Sequence, residues 1–541
     1  MPGGRHALPG APGPEPPACS GITTLAPAPS PPAPPRARRW PRPAGAVAAG
    51  LLIAASVPPI GIWPLGIVGI ALLGALLRGQ PSRARFLIGF AGGLALYAVT
   101  ISWFAEFNII GAIASMACEG AFIGLAAALT PAGAGLLPAW VGALVLQDWV
   151  RTYIPFGGVP LGGIPLGQAA GPLAPTARLV GQLGLTGVTA LGAVVLWTAA
   201  TALARLWPGR ATTGRGLRRG GVAFAAVALA AVVALPLAGE ATPSGRVVGS
   251  VRVALVQGGG PRGLRAVENS AQRVFDAQVQ ASALITDPVD LIVWPEDVIA
   301  LTGPVAGSPE SAQVGAIAKA HHATLLAGVT EDVGADKFRN AIVVWGPDGT
   351  ISGRYDKVHR VPFGEYVPGR WLIQHFVSLG VIPRDAIPGH GSGRVETSSG
   401  PVGVVISYEV FFSQRSRAAI GAGGRLLVVP TNTASYTTTQ VPAAEIAADR
   451  IRAWETGRDV VMVAPTGWSD ILDIRGRIRQ RSGLVEQTVL QATVAMRTGK
   501  TPYVRYGDLP ALVAAAALLG AGLGASRAAP RVDQPVNSGE P

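Results

Sequence analysis

Apolar and polar positions divide the chain into two kinds of sequence. Between residues 44 and 240, long apolar stretches follow one another with short polar interruptions, and a further apolar stretch covers residues 509–525. A stretch of about 20 apolar residues is long enough to cross a bilayer as a helix. Between residues 249 and 500 the apolar runs are short and alternate with helical patterns. The chain is therefore predicted to join a helical membrane domain to a polar α/β domain.

The apolar stretches predict about eight transmembrane spans. Residues 44–77 as one helix would be about 50 Å long, against a hydrocarbon core of about 30 Å. Pro58, Pro59 and Pro64 are therefore expected to divide this stretch into a hairpin of two short spans. The remaining predicted spans are residues 86–104, 110–129, 132–148, 177–204, 221–239 and 509–525.

Arginines between the spans indicate their orientation, because basic residues collect on the cytoplasmic side of short loops. They are concentrated before the first span, after the second (Arg78, Arg83, Arg85) and after the sixth (residues 205–219). With the N-terminus inside, all three segments are cytoplasmic. The same parity places the polar domain on the outer face of the membrane and returns the C-terminus to the cytoplasm.

Composition agrees with a membrane protein and argues against a nucleic-acid partner. The 541 residues are 49% hydrophobic and 14% charged, which is not typical of a soluble protein. The net charge of +13 does not favour a nucleic-acid partner, because the arginines lie between apolar segments and form no single stripe. Residues 1–43 are rich in proline and predicted to form a disordered cytoplasmic tail, and residues 526–541 a second tail.

The polar domain, residues 249–500, shows more strand than a simple doubly wound sheet needs. The apolar runs predict strands at residues 251–256, 290–296, 323–328, 340–345, 350–355, 402–406, 425–429 and 459–464. Helical patterns lie at residues 265–285, 309–321 and 443–456. Pro347-Asp348-Gly349 separates two of the strands and is typical of a hairpin.

Three ionisable or nucleophilic side chains lie at or just after predicted strand ends, where α/β enzymes gather their catalytic residues. They are Glu296 in VWPED, Lys357 in GRYDKVHRVPFGEYVP and Ser407 in VVISYE. Each also has a structural interpretation: Glu296 beside a helix N-cap, Lys357 as a solvated loop charge, and Ser407 bonded to backbone at a strand end. Lys357 is one of only four lysines, and a desolvated lysine, unlike arginine, can exchange a proton.

Other polar residues in the sequence give weaker indications of a functional role. Glu119 lies within the fourth predicted span and is either a functional group or a hydrogen-bonded group facing the helix bundle. Asp148 and Arg151 are three residues apart and are predicted to pair. The two cysteines, Cys19 and Cys118, both lie outside the polar domain, and the histidines have no metal-ligand spacing. No metal site is expected.

The motifs VWPED, YDKVHRVPFGEYVP, VGVVISYE and TPYVRYGD resemble those of the apolipoprotein N-acyltransferases, membrane members of the carbon-nitrogen hydrolase (nitrilase) superfamily. The resemblance covers nearly everything after residue 43. It implies a multi-pass protein of the bacterial plasma membrane, with a nitrilase-like αββα sandwich domain on the outer face before the last span.

The family's catalytic residues are carried over by motif. Glu296 matches the general base, Lys357 the lysine that stabilises the oxyanion, and Glu365 a second glutamate near that lysine. Tyr408 and Glu409 match the pair that follows the nucleophile. The implied reaction takes an acyl chain from a membrane phospholipid and passes it, through an acyl-enzyme, to the N-terminal amine of an S-diacylglyceryl-cysteine lipoprotein. A monomer without metal or organic cofactor is expected.

Two departures from the family pattern fall in the candidate site. Position 407 is Ser where the family has Cys, and a hydroxyl is far less acidic than a thiol. In PTNTASY, residues 430–436, Asn432 and the aromatic Tyr436 remain, but the family's acidic and tryptophan positions do not. An oxygen ester is also less reactive toward an amine than a thioester, so a rate penalty of several orders of magnitude is expected unless the site compensates.

Three hypotheses follow. The first is an N-acyltransferase that uses Ser407 as its nucleophile. The second is a catalytically inactive paralogue that binds lipoproteins or a partner as a membrane scaffold. The third is a membrane-tethered amidase, which the superfamily fold permits. Retention of Glu296 and Lys357 favours chemistry over scaffolding, and the eight spans favour a lipid substrate over a soluble amide.

Overall fold

The structure is a computed structural model that describes residues 42–106, 109–206, 219–260, 270–375, 383–433 and 439–528, with the single residues 3 and 13. Most of the two predicted tails lies outside the described residues. Tyr436 also lies outside them, as does the predicted start of the helix at residues 265–285.

Apolar helices fill the first part of the described chain. They are α1 (Arg42–Ser56), α2 (Trp63–Leu77), α3 (Ser82–Thr100), α4 (Ile109–Leu129), α5 (Leu136–Val150), α6 (Ala177–Leu206) and α7 (Arg219–Ala241). Pro58 and Pro59 lie in the turn between α1 and α2, as predicted, whereas Pro64 lies in the first turn of α2, where its missing N–H is not needed.

The polar domain follows, and we refer to residues 246–498 as the sandwich domain. Its strands are β1 (Arg246–Gln257), β2 (Leu291–Val293), β3 (Ile299–Leu301), β4 (Thr324–Val333), β5 (Lys337–Trp345), β6 (Ile351–Asp356), β7 (Asp385–Ala386), β8 (Arg394–Val395), β9 (Val402–Val404), β10 (Leu427–Pro430), β11 (Val460–Val463), β12 (Asp470–Leu472), β13 (Ile478–Arg481) and β14 (Thr488–Thr498). Its helices are α8 (Ala271–Ser282), α9 (Pro309–Ala320), α10 (Arg370–Ile373), α11 (Ser413–Gly421) and α12 (Val441–Thr456). The short α13 (Pro502–Tyr506) and the apolar α14 (Leu509–Ala528) complete the described chain.

Each of the eight predicted spans overlaps one of the apolar helices. Four helical segments of the described chain are long and apolar enough to cross a membrane: Ile109–Leu129, Ala174–Leu206, Gly220–Ala241 and Leu509–Ala528. The helices α1, α2 and α5 are apolar but shorter. The protein is thus a membrane protein with several apolar helices.

Two sheets stack face to face in the sandwich domain. The first has the strand order β14-β1-β2-β4-β5-β6, with β3 beside β4 and β7 beside β5, and the second has the order β13-β12-β11-β10-β9-β8. Alternate residues of a strand point to opposite faces. Accordingly Val428 of β10 packs between the sheets with Val253 of β1, while Leu427 and Val429 face outward.

Helices cover both outer faces of the paired sheets. Phe275 of α8 and Val314 of α9 pack on the first sheet, and Ile420 of α11 and Ile451 of α12 belong to the core beyond the second. This layering is the predicted nitrilase-like α/β sandwich. The eight predicted strands and the Pro347-Asp348-Gly349 hairpin are confirmed, but β3, β7, β8, β12, β13 and β14 were missed.

Helix α12 joins the sandwich domain to the membrane helices. Arg452 donates to the Gln182 side chain at 2.7 Å, and Glu455 accepts from the Gln182 backbone N–H at 2.8 Å. Helix α6 bends at Gly181, which has φ +69° and whose missing Cβ would collide with the Tyr503 ring at 2.2 Å. Glycine is required there for both reasons.

Candidate active site

A buried lysine forms the centre of the candidate site. Lys357 Nζ lies 2.7 Å from Glu296 Oε1 and 2.8 Å from Glu365 Oε1, and its side chain is only 2% exposed. Asn340 Nδ2 donates to the same two carboxylate oxygens, at 2.8 and 2.9 Å. The interpretation of Lys357 as a solvated loop charge is therefore wrong.

The two glutamates determine the charge of Lys357. Burial alone would lower the pKa of Lys357, but Glu296 and Glu365 outweigh it and hold that pKa above its usual value. The lysine is therefore a fixed positive charge in a site that is buried from water. Such a charge stabilises an oxyanion more strongly than it would in water.

Backbone geometry fixes the positions of the two glutamates. The turn that carries Glu296 follows β2 and is anchored by the hydrogen bond from Gly328 N to Pro295 O, at 3.0 Å. A Cβ on Gly328 would lie 2.4 Å from Glu296 Cα, so only glycine permits this approach. Glu365 accepts from the backbone N–H of Val361 at 2.7 Å with its second oxygen.

Ser407 lies in a strained turn. It follows the end of β9 and begins a 3₁₀ helix, Ser407–Phe411, with φ +47°, a left-handed conformation that is uncommon outside glycine. Such a residue costs about 1–3 kcal/mol and is often found at active sites. Ser407 is half-buried, and its Oγ lies 3.4 Å from Glu445 Oε1 on α12.

Glu409 connects the Ser407 turn to the loop that follows β6, residues 357–369, which we call the lysine loop. Its fully buried carboxylate accepts from the backbone N–H groups of Ile406, Val358 and His359, at 2.9, 2.8 and 3.1 Å. It also accepts from Tyr355 Oη at 2.9 Å. A carboxylate with this many internal donors is suited to holding the two segments in register.

Tyr408 faces the membrane helices. Its Oη donates to Gly158 O at 2.8 Å, and Tyr366 of the lysine loop donates to Phe156 O at the same distance. Both acceptors belong to residues 151–163, which follow α5 and which we call the junction segment. The ring of Phe156 also packs edge-on against Phe363, with centroids 5.5 Å apart.

Arg151 holds the junction segment in place. Its guanidinium pairs with Glu119 at 2.7 Å and with Asp148 at 3.3 Å, and donates to Val159 O and Leu161 O at 3.1 and 2.7 Å. The predicted Asp148–Arg151 pair is confirmed. Glu119 is an ion-paired group that faces the helix bundle, which agrees with the structural interpretation of that residue.

Asn432 follows β10, on the side of the site near the Glu296 turn. Its Nδ2 lies 3.4 Å from Asp297 Oδ2, and Asp297 in turn accepts from Thr330 at 2.9 Å. Asn432 is thus placed beside the neighbour of Glu296, whereas Tyr436 of the same motif lies outside the described residues.

Two buried polar residues of the site were missed in the sequence. Asn340 begins the buried part of β5, and an amide next to the apolar run AIVVW was the available signal. Glu445 lies in α12, and no motif distinguishes it from the other acidic residues of that helix. No group of three or more His, Cys, Asp or Glu that could hold a metal ion occurs in the described parts of the chain.

Comparison with known proteins agrees with this geometry. Residues 252–503 match the carbon-nitrogen hydrolase family, and residues 49–195 match the N-terminal domain of apolipoprotein N-acyltransferase.

Curated relatives match over most of their length. The chain is 30% identical over 510 residues to the apolipoprotein N-acyltransferase of Geobacter metallireducens, a match that covers 88% of this chain and 94% of the relative. It is 30% identical to that of Mycolicibacterium smegmatis, over 86% of this chain and 82% of the relative. It is 31% identical to that of Azotobacter vinelandii, over 91% and 97%. The chain belongs to the apolipoprotein N-acyltransferase family.

Proposed function

We propose that this protein is a phospholipid-dependent N-acyltransferase that uses Ser407 as its nucleophile. The observation that carries the proposal is the fixed charge of Lys357 between Glu296 and Glu365, on a loop that Glu409 ties to the Ser407 turn. Lys357 is the only described lysine that is buried, and its two carboxylate partners account for its burial. The apolar helices that flank the sandwich domain suit a substrate that stays in the membrane.

The reaction has two half-reactions. In the first, Ser407 Oγ attacks an ester carbonyl of a phospholipid, the oxyanion forms beside Lys357, and a lysophospholipid leaves as its alcohol. In the second, the N-terminal amine of a diacylglyceryl-cysteine lipoprotein attacks the ester on Ser407, and Ser407 Oγ leaves with a proton. Glu296 serves as a general base and Glu365 orients Lys357. Each half-reaction is a simple acyl transfer and needs no metal or organic cofactor.

The proposed arrangement in the membrane has eight spans and cytoplasmic termini, with the sandwich domain on the outer face of a bacterial plasma membrane. It rests on the arginines around the second and sixth spans. Tyr408 and Tyr366 contact the junction segment at the end of α5, so the candidate site lies close to the membrane helices. Both substrates are anchored in the leaflet that this site would face. A monomer supplies all the proposed site residues.

The test is N-acylation of a diacylglyceryl-cysteine peptide by the purified full-length protein with phospholipid, followed by mass spectrometry. Wild type, Ser407→Ala and Ser407→Cys are compared. We expect wild type to acylate the peptide and Ser407→Ala to lose at least about a thousandfold in rate. If only Ser407→Cys is active, the serine protein is an inactive paralogue with an otherwise intact site. If all three folded proteins are inactive, the scaffold or the amidase hypothesis replaces the proposal.

A further inference from the structure

Glu445 is a buried carboxyl group that the proposed reaction does not use. It lies in α12, only 2% of its surface is exposed, and its Oε1 is the acceptor that the structure gives to Ser407 Oγ, at 3.4 Å. Thr431, at the end of β10, donates to both of its oxygens, at 2.8 and 2.9 Å. A carboxyl group held in this way points at the reacting atom of the proposed nucleophile.

We propose that Glu445 is the catalytic base for Ser407, and that it takes the hydroxyl proton when the serine attacks the phospholipid ester. This inference rests on the proposed function. It assigns Glu296 to the second half-reaction, in which the lipoprotein amine loses a proton. The site thus contains one carboxylate for the nucleophile and another for the acceptor.

The hydrogen bonds of the two glutamates distinguish their roles. Glu296 Oε1 receives two donors, Lys357 Nζ at 2.7 Å and Asn340 Nδ2 at 2.8 Å, and neither of them is the proposed nucleophile. Glu445 has no cation within hydrogen-bond distance among the described residues, and its donors are the hydroxyls of Thr431 and Ser407. Of the two carboxylates, Glu445 is therefore the one whose hydrogen bonds include the Ser407 hydroxyl.

The surroundings of Glu445 strengthen it as a base. Burial raises the pKa of Glu445 to about 8, and the nearby charge of Glu296 adds to the effect, while the Thr431 and Ser407 hydrogen bonds and the charge of Lys357 oppose it. Asp449, one turn further along α12, is the other carboxyl group that faces Glu445. A serine hydroxyl needs a stronger base than an ordinary carboxylate, and a base with a pKa near the working pH is the most effective.

Glu445 transfers the same proton in both steps of the first half-reaction, the attack by Ser407 and the departure of the glycerol oxygen. As the bond from Ser407 Oγ to the carbonyl carbon forms, the hydroxyl proton moves to Glu445 and the carbonyl oxygen becomes an oxyanion beside Lys357. When the bond from carbon to the glycerol oxygen breaks, that oxygen takes the proton from Glu445. The products are a lysophospholipid alcohol and an acyl ester on Ser407, with Glu445 ionised again.

A thiol at position 407 would not need Glu445. The cysteine thiol has a pKa of about 8.5 and supplies thiolate without a strong base. A carboxylate beside the thiol would oppose thiolate formation, because two negative charges would repel. The contribution of Glu445 should therefore depend on whether residue 407 is serine or cysteine, and a purely structural role would not depend on it.

The experiment measures lysophospholipid release in a single turnover for wild type, Glu445→Gln, Ser407→Cys and the double variant Ser407→Cys/Glu445→Gln. We expect Glu445→Gln to slow the serine protein at least about 100-fold, as general-base loss typically does, and the cysteine protein less than about threefold. The wild-type rate should rise with pH up to about 8, and Glu445→Gln should abolish this rise. Glu445→Asp should restore part of the rate.

Asp449→Asn is the matched control, because Asp449 is buried in the same helix and has no hydrogen-bond partner for either oxygen among the described residues. At a pH above about 8, where Glu445 is ionised in both proteins, it should leave the rate nearly unchanged. Equal losses from Glu445→Gln in the serine and cysteine proteins would overturn the inference while leaving the proposed function intact. A wild type that releases no lysophospholipid would overturn both. Melting temperatures of all variants show that each protein is folded.

Discussion

Asn340 shows how a single uncharged residue organises a charged site. Its amide donates to Glu296 and Glu365, so the two carboxylates share two donors, Asn340 and Lys357. A hydrogen bond to a buried charged group contributes about 1.5–3 kcal/mol. The amide therefore relieves repulsion that Lys357 alone would have to offset.

Replacing Asn340 by Ala is expected to lower the rate of N-acylation by about 10–100-fold, because both carboxylates lose a donor and Lys357 loses its orientation. Asn340→Asp should be worse, since a third carboxylate would face the other two. The measurement is kcat/KM for the peptide acceptor, with melting temperatures to confirm folding. Rates equal to wild type in the alanine variant would show that Asn340 serves only the packing of β5.

At this scale, motifs predicted the charged residues but not their partners. Glu296, Lys357 and Glu365 were found because each lies in a recognisable local motif, and the structure brings these three together. Asn340 and Glu445 were missed because each becomes part of the site through a contact with a residue that is distant in sequence. Single-sequence patterns contain no signal for such pairings.

At the scale of elements, the Glu296 turn depends on the strand beside it. Trp294 N and Val298 N donate to Leu326 O and Gly328 O, at 2.8 and 3.2 Å, so the turn lies flat against β4. Its close approach to Gly328 leaves no room for a side chain. A motif on one strand is thus positioned by a glycine on its neighbour.

Gly328→Ala is expected to displace the Glu296 turn and reduce N-acylation at least about tenfold, because the new Cβ would meet backbone atoms that cannot move aside. The melting temperature should also fall. Gly303→Ala is the control, since a Cβ there would have no neighbour within 4 Å and the residue has no positive φ. Equal activity of the two variants would mean that the turn adjusts without moving Glu296.

Strand prediction succeeded for continuously apolar runs and failed for several short strands and strands at a sheet edge. The runs that became β2, β10 and β11 are continuously apolar and were recognised. Strand β13 carries Arg479 and Arg481 with mostly exposed positions at a sheet edge, and β14 is half-buried along most of its length. An edge strand of this composition gives no hydrophobic pattern to detect.

At the scale of the whole molecule, several carboxyl groups of the sandwich domain are buried. Burial raises the pKa of Glu445 to about 8 and the pKa values of Glu455 and Asp470 to about 7. A carboxyl group whose pKa is raised by folding stabilises the protein while protonated. That stability is lost as the pH rises from the unfolded pKa to the folded one.

The melting temperature in detergent is expected to fall by several degrees between about pH 6.5 and about pH 8, as these groups are forced to ionise. His359 does not obscure this window, because burial lowers its pKa to about 4 and its destabilising effect appears only on acidification. Glu445→Gln should flatten the dependence, and the exposed Glu396→Gln should not. A melting temperature independent of pH would contradict the proposed burial of these groups.

Hydropathy predicted the two-part organisation of the molecule, but not how the parts are joined. The eight apolar helices and the sandwich domain follow from segment length and alternation, which are local properties. The two parts share one apolar cluster, and the polar contacts between them join residues distant in sequence, such as Arg452 with Gln182 and Tyr408 with Gly158. No local pattern distinguishes such side chains from solvated ones.

The serine at the start of the strained turn also changes how sensitive the site is to oxidation. The sandwich domain has no sulfur nucleophile, because the only cysteines of the chain are Cys19 and Cys118. A catalytic thiolate exposed to peroxide is converted stepwise to sulfenic and then irreversible sulfinic acid, whereas a hydroxyl is inert to the same oxidants. On the outer face of the membrane, where the sandwich domain is proposed to lie, a thiol would be outside the reducing cytosol. A serine nucleophile, although slower, would resist oxidation. The protein would then still acylate lipoproteins under conditions that inactivate a faster, cysteine-dependent enzyme.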